Sequence, residues 1–357
     1  MTDTDTCVLI ATKDGAATIA EAVTAAATQA RVLVVSDGST DETAAVARAA
    51  GAEVLALETN IGKPAALRRL FEHFAVDRHH RYVVIVDDDT VLSPHFISRC
   101  RAHFERDEDV VVTCGETRSD WRHEQRWNGW VGARALAYWR YGLLVKRGQA
   151  ALRAVTVIPG ANSMFRTDVM ADLLVDDVRY VVDDTQWLLE IQTRRLGRVA
   201  YAPDALAHVQ DPLTPGEWYR QTVRWMWGTF QGVRGHRVGR TWSWFSVTYS
   251  LQLLDWLLYV LLWPLVLGTI VTRAAMDSPE RLGLVLAIYL AGYVAWAVIG
   301  AIALRRWRLI PLFPYLIAMD WMQRAVTIHG AIRALRQPEA ECRWISPPRF
   351  ATTGTPS

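Results

Sequence analysis

The chain has 357 residues, a formal net charge of +2, 51% hydrophobic and 21% charged residues. That length suggests about two structural units, at ~100–200 residues per domain. The composition excludes a disordered chain, and the near-neutral charge argues against a dedicated nucleic-acid binder. Four cysteines, Cys7, Cys100, Cys114 and Cys342, include no CxxC pair and read as buried thiols in a reducing compartment. From the N-terminus, strands and helices alternate. CVLIAT (7–12) is an apolar run followed by a helical pattern over AATIAEAVTAAATQ. RVLVVSDGS repeats the theme, with TDETAAVARAAG as its helix and Gly51 as its stop. EVLALE and PAALRRLFEHFAVD form a third pair, and RYVVIVDDD is a fourth strand, continuous in Val and Ile. Strands of this kind are buried on both faces. Their alternation with helices predicts an α/β domain with a mostly parallel, doubly wound sheet.

Ligands of such sheets bind at the carboxyl ends of the strands. Those ends read Thr12-Lys13-Asp14-Gly15, Ser36-Asp37-Gly38-Ser39, Asn60-Ile61-Gly62-Lys63 and Asp87-Asp88-Asp89-Thr90. Acids stand at three of them. Two carry lysines, in a chain with only three lysines (Lys13, Lys63 and Lys146). No GxGxxG or GxxxxGKS is present, so dinucleotide and P-loop readings lack their glycines. Three adjacent carboxylates repel one another unless a cation holds them. Alternate residues of an extended segment face the same way, so Asp87 and Asp89 can share one site. Their oxygens suit Mg²⁺ or Mn²⁺; the other reading is an acidic turn before a helix capped at Ser93 and Pro94.

Further along, Trp121, Trp127, Trp130 and Trp139 lie among arginines in an amphipathic segment, suited either to the membrane surface or to packing on the N-terminal α/β domain. Gly160-Ala161-Asn162-Ser163 is a small-residue bend. Asp183-Asp184 opens a helical pattern, where Asp184 could serve as an N-cap or as a base. Gln221, with Arg224 and Trp225 three and four residues on, shares one helical face with them. His208 is the only histidine near these positions.

Beyond about residue 240 the chain is dominated by apolar runs. Phe245–Val271 and Leu282–Leu304 are each long enough to cross the hydrocarbon core, and 16 tryptophans suit a protein at a membrane interface. Arg234, Arg237 and Arg240 precede the first run; Arg305, Arg306 and Arg308 follow the second. The positive-inside rule then puts both flanks in the cytoplasm and the short loop outside. Met1 leads directly into a strand, so no signal peptide or preceding span is expected. A third run from Leu309 carries Pro311, Pro314 and Asp320, and is expected to be interfacial or re-entrant, the other reading being a third span over 309–330 with its polar positions facing the protein. The expected layout is an α/β unit at 1–232, a membrane region at 233–336 and a tail at 337–357.

The series DGSTDET, NIGKPAAL, VDDDTVLSP, IPGANSMFR, VDDTQWLLEIQTRRLGRVAYAP and QTVRW occurs in one order. It resembles the membrane-embedded family 2 glycosyltransferases, the cellulose, chitin, hyaluronan and poly-N-acetylglucosamine synthases, over about residues 7–230. The resemblance implies a GT-A catalytic domain and an inverting transfer of a hexose or N-acetylhexosamine from a UDP-sugar, with Mg²⁺ or Mn²⁺. It also implies site roles. Asp37 would hold the nucleotide base, with Thr12 and Asp14 beside it. Lys63 matches the family's NxGK lysine, and Asp87 and Asp89 its DxD pair at ribose and metal. Asp184 would be the base, with Asp183 beside it. Gln221, Arg224 and Trp225 match QxxRW, which clamps the diphosphate and borders the acceptor. Trp344–Arg349 resembles a gating tail. The acceptor would be a growing glycan or a lipid-linked molecule, and two spans enclose no pore without a second copy or a partner protein. A rival of another class is a catalytically silent membrane scaffold.

Overall fold

The computed structural model describes residues 3–121, 128–175, 180–240 and 242–340. Among them, eight strands form one sheet: β1 (Asp3–Thr12), β2 (Ala30–Asp37), β3 (Glu53–Leu57), β4 (Tyr82–Asp87), β5 (Thr90–Leu92), β6 (Val110–Ser119), β7 (Asn162–Arg166) and β8 (Arg198–Val209). Their order is β3-β2-β1-β4-β7-β6-β8-β5. β1 pairs in parallel with β2 and β4, and β2 with β3. β7 runs antiparallel to both β4 and β6, and the short β5 antiparallel to β8. The four strands read from the sequence are therefore parallel, as predicted, and the second half of the sheet is mixed.

The apolar strands divide their side chains between two cores. Leu9, Leu33, Val83 and Ile85 pack on Leu67 and Leu70 of the helix Lys63–His73. Val8, Val32, Val84 and Val86 face Ile19, Val23 and Phe96 on the opposite layer. This is the period-2 alternation of a strand covered on both faces. The chain order reverses between β1 and β4, which puts the switch-point crevice at the ends of those two strands.

A third core lies under the C-terminal helices. It joins Leu136 of the helix Gly129–Arg140, Trp218 and Met226 of the helix Pro215–Gly235, and Leu316 and Val326 of the helix Phe313–Arg336. The amphipathic tryptophans belong here: Trp130 meets Tyr315 edge-on at 5.6 Å, and Trp139 lies 5.3 Å from Trp296. These contacts are with the C-terminal helices, a partner that neither expected placement of the segment named. Trp127 lies outside the described residues, as do Cys342 and the Trp344–Arg349 tail. Cys7, Cys100 and Cys114 are free and buried.

Two helices among the described residues are long and apolar enough to cross a membrane, Trp244–Asp277 and Pro279–Ala303. They contain almost all of the two runs expected to span. The most apolar 18-residue stretch of the first has no residue buried within the protein, and 6% of that of the second is buried. The third run forms the end of a 3₁₀ turn, Trp307–Leu312, and the start of the helix Phe313–Arg336. That helix packs along Pro215–Gly235, with Gly330 against Met226 so closely that a Cβ there would stand 2.5 Å from the Met226 Cβ. Asp320 joins all three C-terminal helices: Tyr259 Oη donates to its Oδ1 at 2.6 Å, Tyr293 Oη to its Oδ2 at 2.7 Å, and Arg324 Nη1 to its Oδ2 at 2.6 Å. The expected boundary at 232 falls inside the helix Pro215–Gly235, which continues unbroken. Phe245 and Tyr249, at the start of the first apolar helix, are buried in the core between the sheet and the helix Lys63–His73.

Candidate active site

The acids after β4 separate as strand alternation requires. Asp88 is fully buried and takes the hydroxyl hydrogen bond of Thr12, while Asp87 and Asp89 are half-buried toward the crevice. Thr12 is itself wholly buried. It therefore braces the acidic turn through Asp88. Burial and the charge of Asp87 push the Asp89 carboxyl up to about 7. Two carboxylates held this close are relieved by a divalent cation. Among the described residues no third His, Cys, Asp or Glu joins them. The pair thus fits Mg²⁺ or Mn²⁺ that completes its shell with water and substrate phosphate. His208 lies in β8 opposite Val91.

Lys63 opens its helix just after Gly62, whose φ of +88° suits glycine. Its Nζ donates to Asp87 Oδ1 at 2.6 Å. Burial alone would lower its pKa; the charges of Asp87, Asp183 and Asp184 outweigh this and hold the ammonium above its ordinary range. Lys63 therefore stands between the DxD pair and the Asp183-Asp184 pair.

Asp184 is the second residue of the helix Asp183–Arg194. The N-cap is Val182, which has no capping side chain, so the capping role is not the one Asp184 fills. Its Oδ2 accepts from the Gly160 backbone N–H at 3.0 Å, and its Oδ1 from Thr185 Oγ1 at 3.3 Å. Burial and the neighbouring Asp183 charge raise its pKa to about 6, against the opposing pull of Gly160 and Lys63. Asp183 is buried, with Oδ2 lacking a hydrogen-bond partner. The bend at 160–163 thus holds the candidate base. Ser163 Oγ donates to Pro159 O at 2.6 Å and Asn162 Nδ2 to Thr117 Oγ1 at 3.1 Å, which fixes the bend to the sheet.

At the β2 end, Asp37 is fully buried and accepts from the backbone N–H groups of Ile61 and Gly62 at 2.8 and 2.9 Å. Burial raises its pKa despite these bonds. Its carboxylate therefore ties down the loop that carries Lys63, an arrangement the motif alone did not disclose. Asp14 is more exposed: Oδ1 accepts from Thr40 N at 2.7 Å and Oδ2 from Lys13 Nζ at 2.7 Å. Lys13 and Thr40 hold its carboxyl below the usual carboxylate range. Asp14 clasps the β1 and β2 loops together at the crevice mouth.

Gln221, Arg224 and Trp225 lie half-buried on the helix Pro215–Gly235. Gln221 Oε1 is buried without a hydrogen-bond partner. This helix runs against the start of the base helix: a Cβ on Gly228 would overlap Val182, and one on Gly232 would meet Thr185 at 3.1 Å. The sequence reading missed Arg134. Its guanidinium lies 5.0 Å from the Trp225 ring, and its Nε pairs with the buried Asp211 at 2.7 Å. A single charge inside the small apolar run VGARALA was the available signal.

A family model for glycosyl transferase family group 2 matches residues 82–317. Poly-β-1,6-N-acetyl-D-glucosamine synthase of Staphylococcus aureus is 26% identical over 216 residues, 58% of this chain and 48% of the relative. The enzyme of the same name from Staphylococcus epidermidis is 24% identical over 213 residues, with the same shares. The chain thus spans about half the length of the curated relatives it matches. Among solved structures, the mannosyltransferase PcManGT from Pyrobaculum calidifontis, determined with GDP-Man and Mn²⁺, superposes with a TM-score of 0.60 at 18% identity. The superposition covers 93% of this chain and 87% of that one. The sheet order, the crevice acids and these matches lead to one conclusion: the chain is a glycosyltransferase with a GT-A fold and belongs to glycosyl transferase family group 2.

Proposed function

We propose that this enzyme is membrane-bound and moves a hexose or N-acetylhexosamine, with inversion, from a UDP-sugar to a growing polysaccharide. The observation that carries the mechanism is the Asp87–Lys63–Asp184 arrangement, in which one ammonium separates a donor-side carboxylate from a raised, Gly160-held carboxylate. In this reading Asp87 and Asp89 hold the divalent metal, which would neutralise charge on the donor diphosphate. Asp184 takes the acceptor hydroxyl proton as that oxygen attacks the anomeric carbon. The bond to UDP breaks on the opposite face, and Arg224 steadies the departing diphosphate. Lys63 and the Gly160 N–H keep Asp184 aimed and charged. Asp14 and the Asp37-held loop frame the nucleotide pocket, and Trp225 with Gln221 borders the acceptor. The N-acetylhexosamine preference draws on the staphylococcal relatives, whose names specify N-acetylglucosamine.

A second reading, single transfer to a lipid-linked acceptor, is favoured by the presence of only two span-length apolar helices among the described residues, which enclose no channel alone. In both readings the apolar helices sit in the bilayer with the catalytic layer and C-terminus in the cytoplasm. The test is to incubate purified, detergent-solubilised enzyme with radiolabelled UDP-GlcNAc or UDP-Glc and Mn²⁺, then size the product. Long polymer supports the first reading, and a single-sugar lipid product supports the second. Intact donor with every sugar and metal would leave the silent scaffold.

A further inference from the structure

We propose that Arg134 is a positioning residue that fixes the Trp225 ring, and so decides whether the activated sugar goes to the glycan acceptor or to water. The proposal rests on the transferase reading and on Trp225 as an acceptor platform.

Arg134 is 4% exposed, in the middle of the helix Gly129–Arg140. Its guanidinium lies between two aromatic rings, 5.0 Å from the centroid of Trp225 and 5.1 Å from that of Tyr138. Nε donates to Tyr138 Oη at 2.8 Å and forms the ion pair with Asp211 at 2.7 Å. A buried arginine is costly to keep unless its geometry is used. A planar fork that stacks and pairs at once is something lysine cannot reproduce. Both ends of this contact connect to the reaction centre. Asp211 follows β8 by two residues, and the last residue of β8, Val209, pairs with Thr90 directly after Asp89. Asn128 Nδ2, the N-cap of the arginine's helix, donates to Leu213 O in the same connection. The charge of Asp89 also acts on this guanidinium. Arg134 therefore ties the turn that bears the DxD acids to the ring that borders the acceptor, through a cation–π contact whose strength grows with desolvation.

Water needs no platform to attack the anomeric carbon. In hydrolysis it gives its proton to Asp184, the bond from the sugar to UDP breaks, and free sugar and UDP result. A sugar acceptor must be oriented, and a displacement of about 1 Å can cost ~10²-fold in rate. Arg134→Lys should thus lower glycosidic product about tenfold relative to free sugar while donor Kd changes by less than about twofold.

The experiment measures radiolabelled glycan and free sugar in the same reaction of the full-length enzyme, with donor Kd by calorimetry. Trp225→Ala should shift the ratio the same way, and adding Arg134→Lys to it should shift it no further. Equal loss of both products in Arg134→Lys, an unchanged ratio, or additive effects in the double variant would each overturn the proposal. Should Arg134→Lys fail to accumulate, Tyr138→Phe removes one anchor of Nε and keeps the cation; it should shift the ratio in the same direction by a smaller factor, and no shift overturns the proposal. A wild type that consumes no nucleotide sugar would instead overturn the transferase reading beneath it.

Discussion

Lys63 stands among Asp87, Asp183 and Asp184, and the charge state of the site follows from that crowding. Asp184 works as a base only when ionised, and its pKa is raised to about 6. Transfer should therefore rise with pH through about 6 and lose its base as pH falls below that value, with kcat/KM dropping tenfold per unit. A pH–rate profile that stays flat down to pH 5 would remove Asp184 from the role. The DxD pair makes a separate prediction. Asp89→Asn should lower transfer by about 10²-fold or more while thermal unfolding stays near wild type, and EDTA should silence the wild type until Mn²⁺ or Mg²⁺ is restored. Full turnover in EDTA would exclude the metal. At this scale the motifs were legible because strand alternation fixes which acids share a face. What they could not disclose was where each group's hydrogen bonds go. Thr12 turns inward to Asp88, and Asp37 holds backbone N–H groups of the loop that carries Lys63. Both are partnerships between residues distant in the chain.

At the scale of elements, the site is assembled by close helix contacts. Gly228 lets Pro215–Gly235 settle on Val182, one residue before the base helix begins. Gly228→Ala should push those helices apart, costing about 1–3 kcal/mol in thermal unfolding and lowering transfer more than donor binding; unaltered melting and rate would show that Val182 gives way freely. The first four strands were legible because each is an unbroken apolar run with a turn at its end. β7 was not, since IPGANSMFR reads equally as a bend, and its antiparallel direction is set by pairing with Val83–Val86 on one side and Val112–Cys114 on the other. Arg134 was missed for a similar reason: its partners Asp211 and Trp225 lie on other elements, so its local sequence looks like any amphipathic helix.

For the whole molecule, the catalytic layer and the apolar helices are one packed unit. Tyr249 reaches into the catalytic core, Gln252 accepts hydrogen bonds from Gln149 and Thr156, and Asp320 draws the three C-terminal helices together. Arginines flank the helix pair on both outer sides, and in the proposed topology the positive-inside rule would set those flanks in the cytoplasm. A Ser357→Cys variant without native cysteines should resist an impermeant thiol reagent in intact cells and react after lysis; ready labelling from outside would mean a third crossing. The proposed base is tested most directly by Asp184→Asn in the purified enzyme. UDP-sugar binding by calorimetry should persist near the wild-type Kd, while transfer falls by about 10²–10⁴-fold. Loss of donor binding together with transfer, or substantial transfer by the variant, would contradict the assignment of Asp184 as the base that takes the acceptor proton.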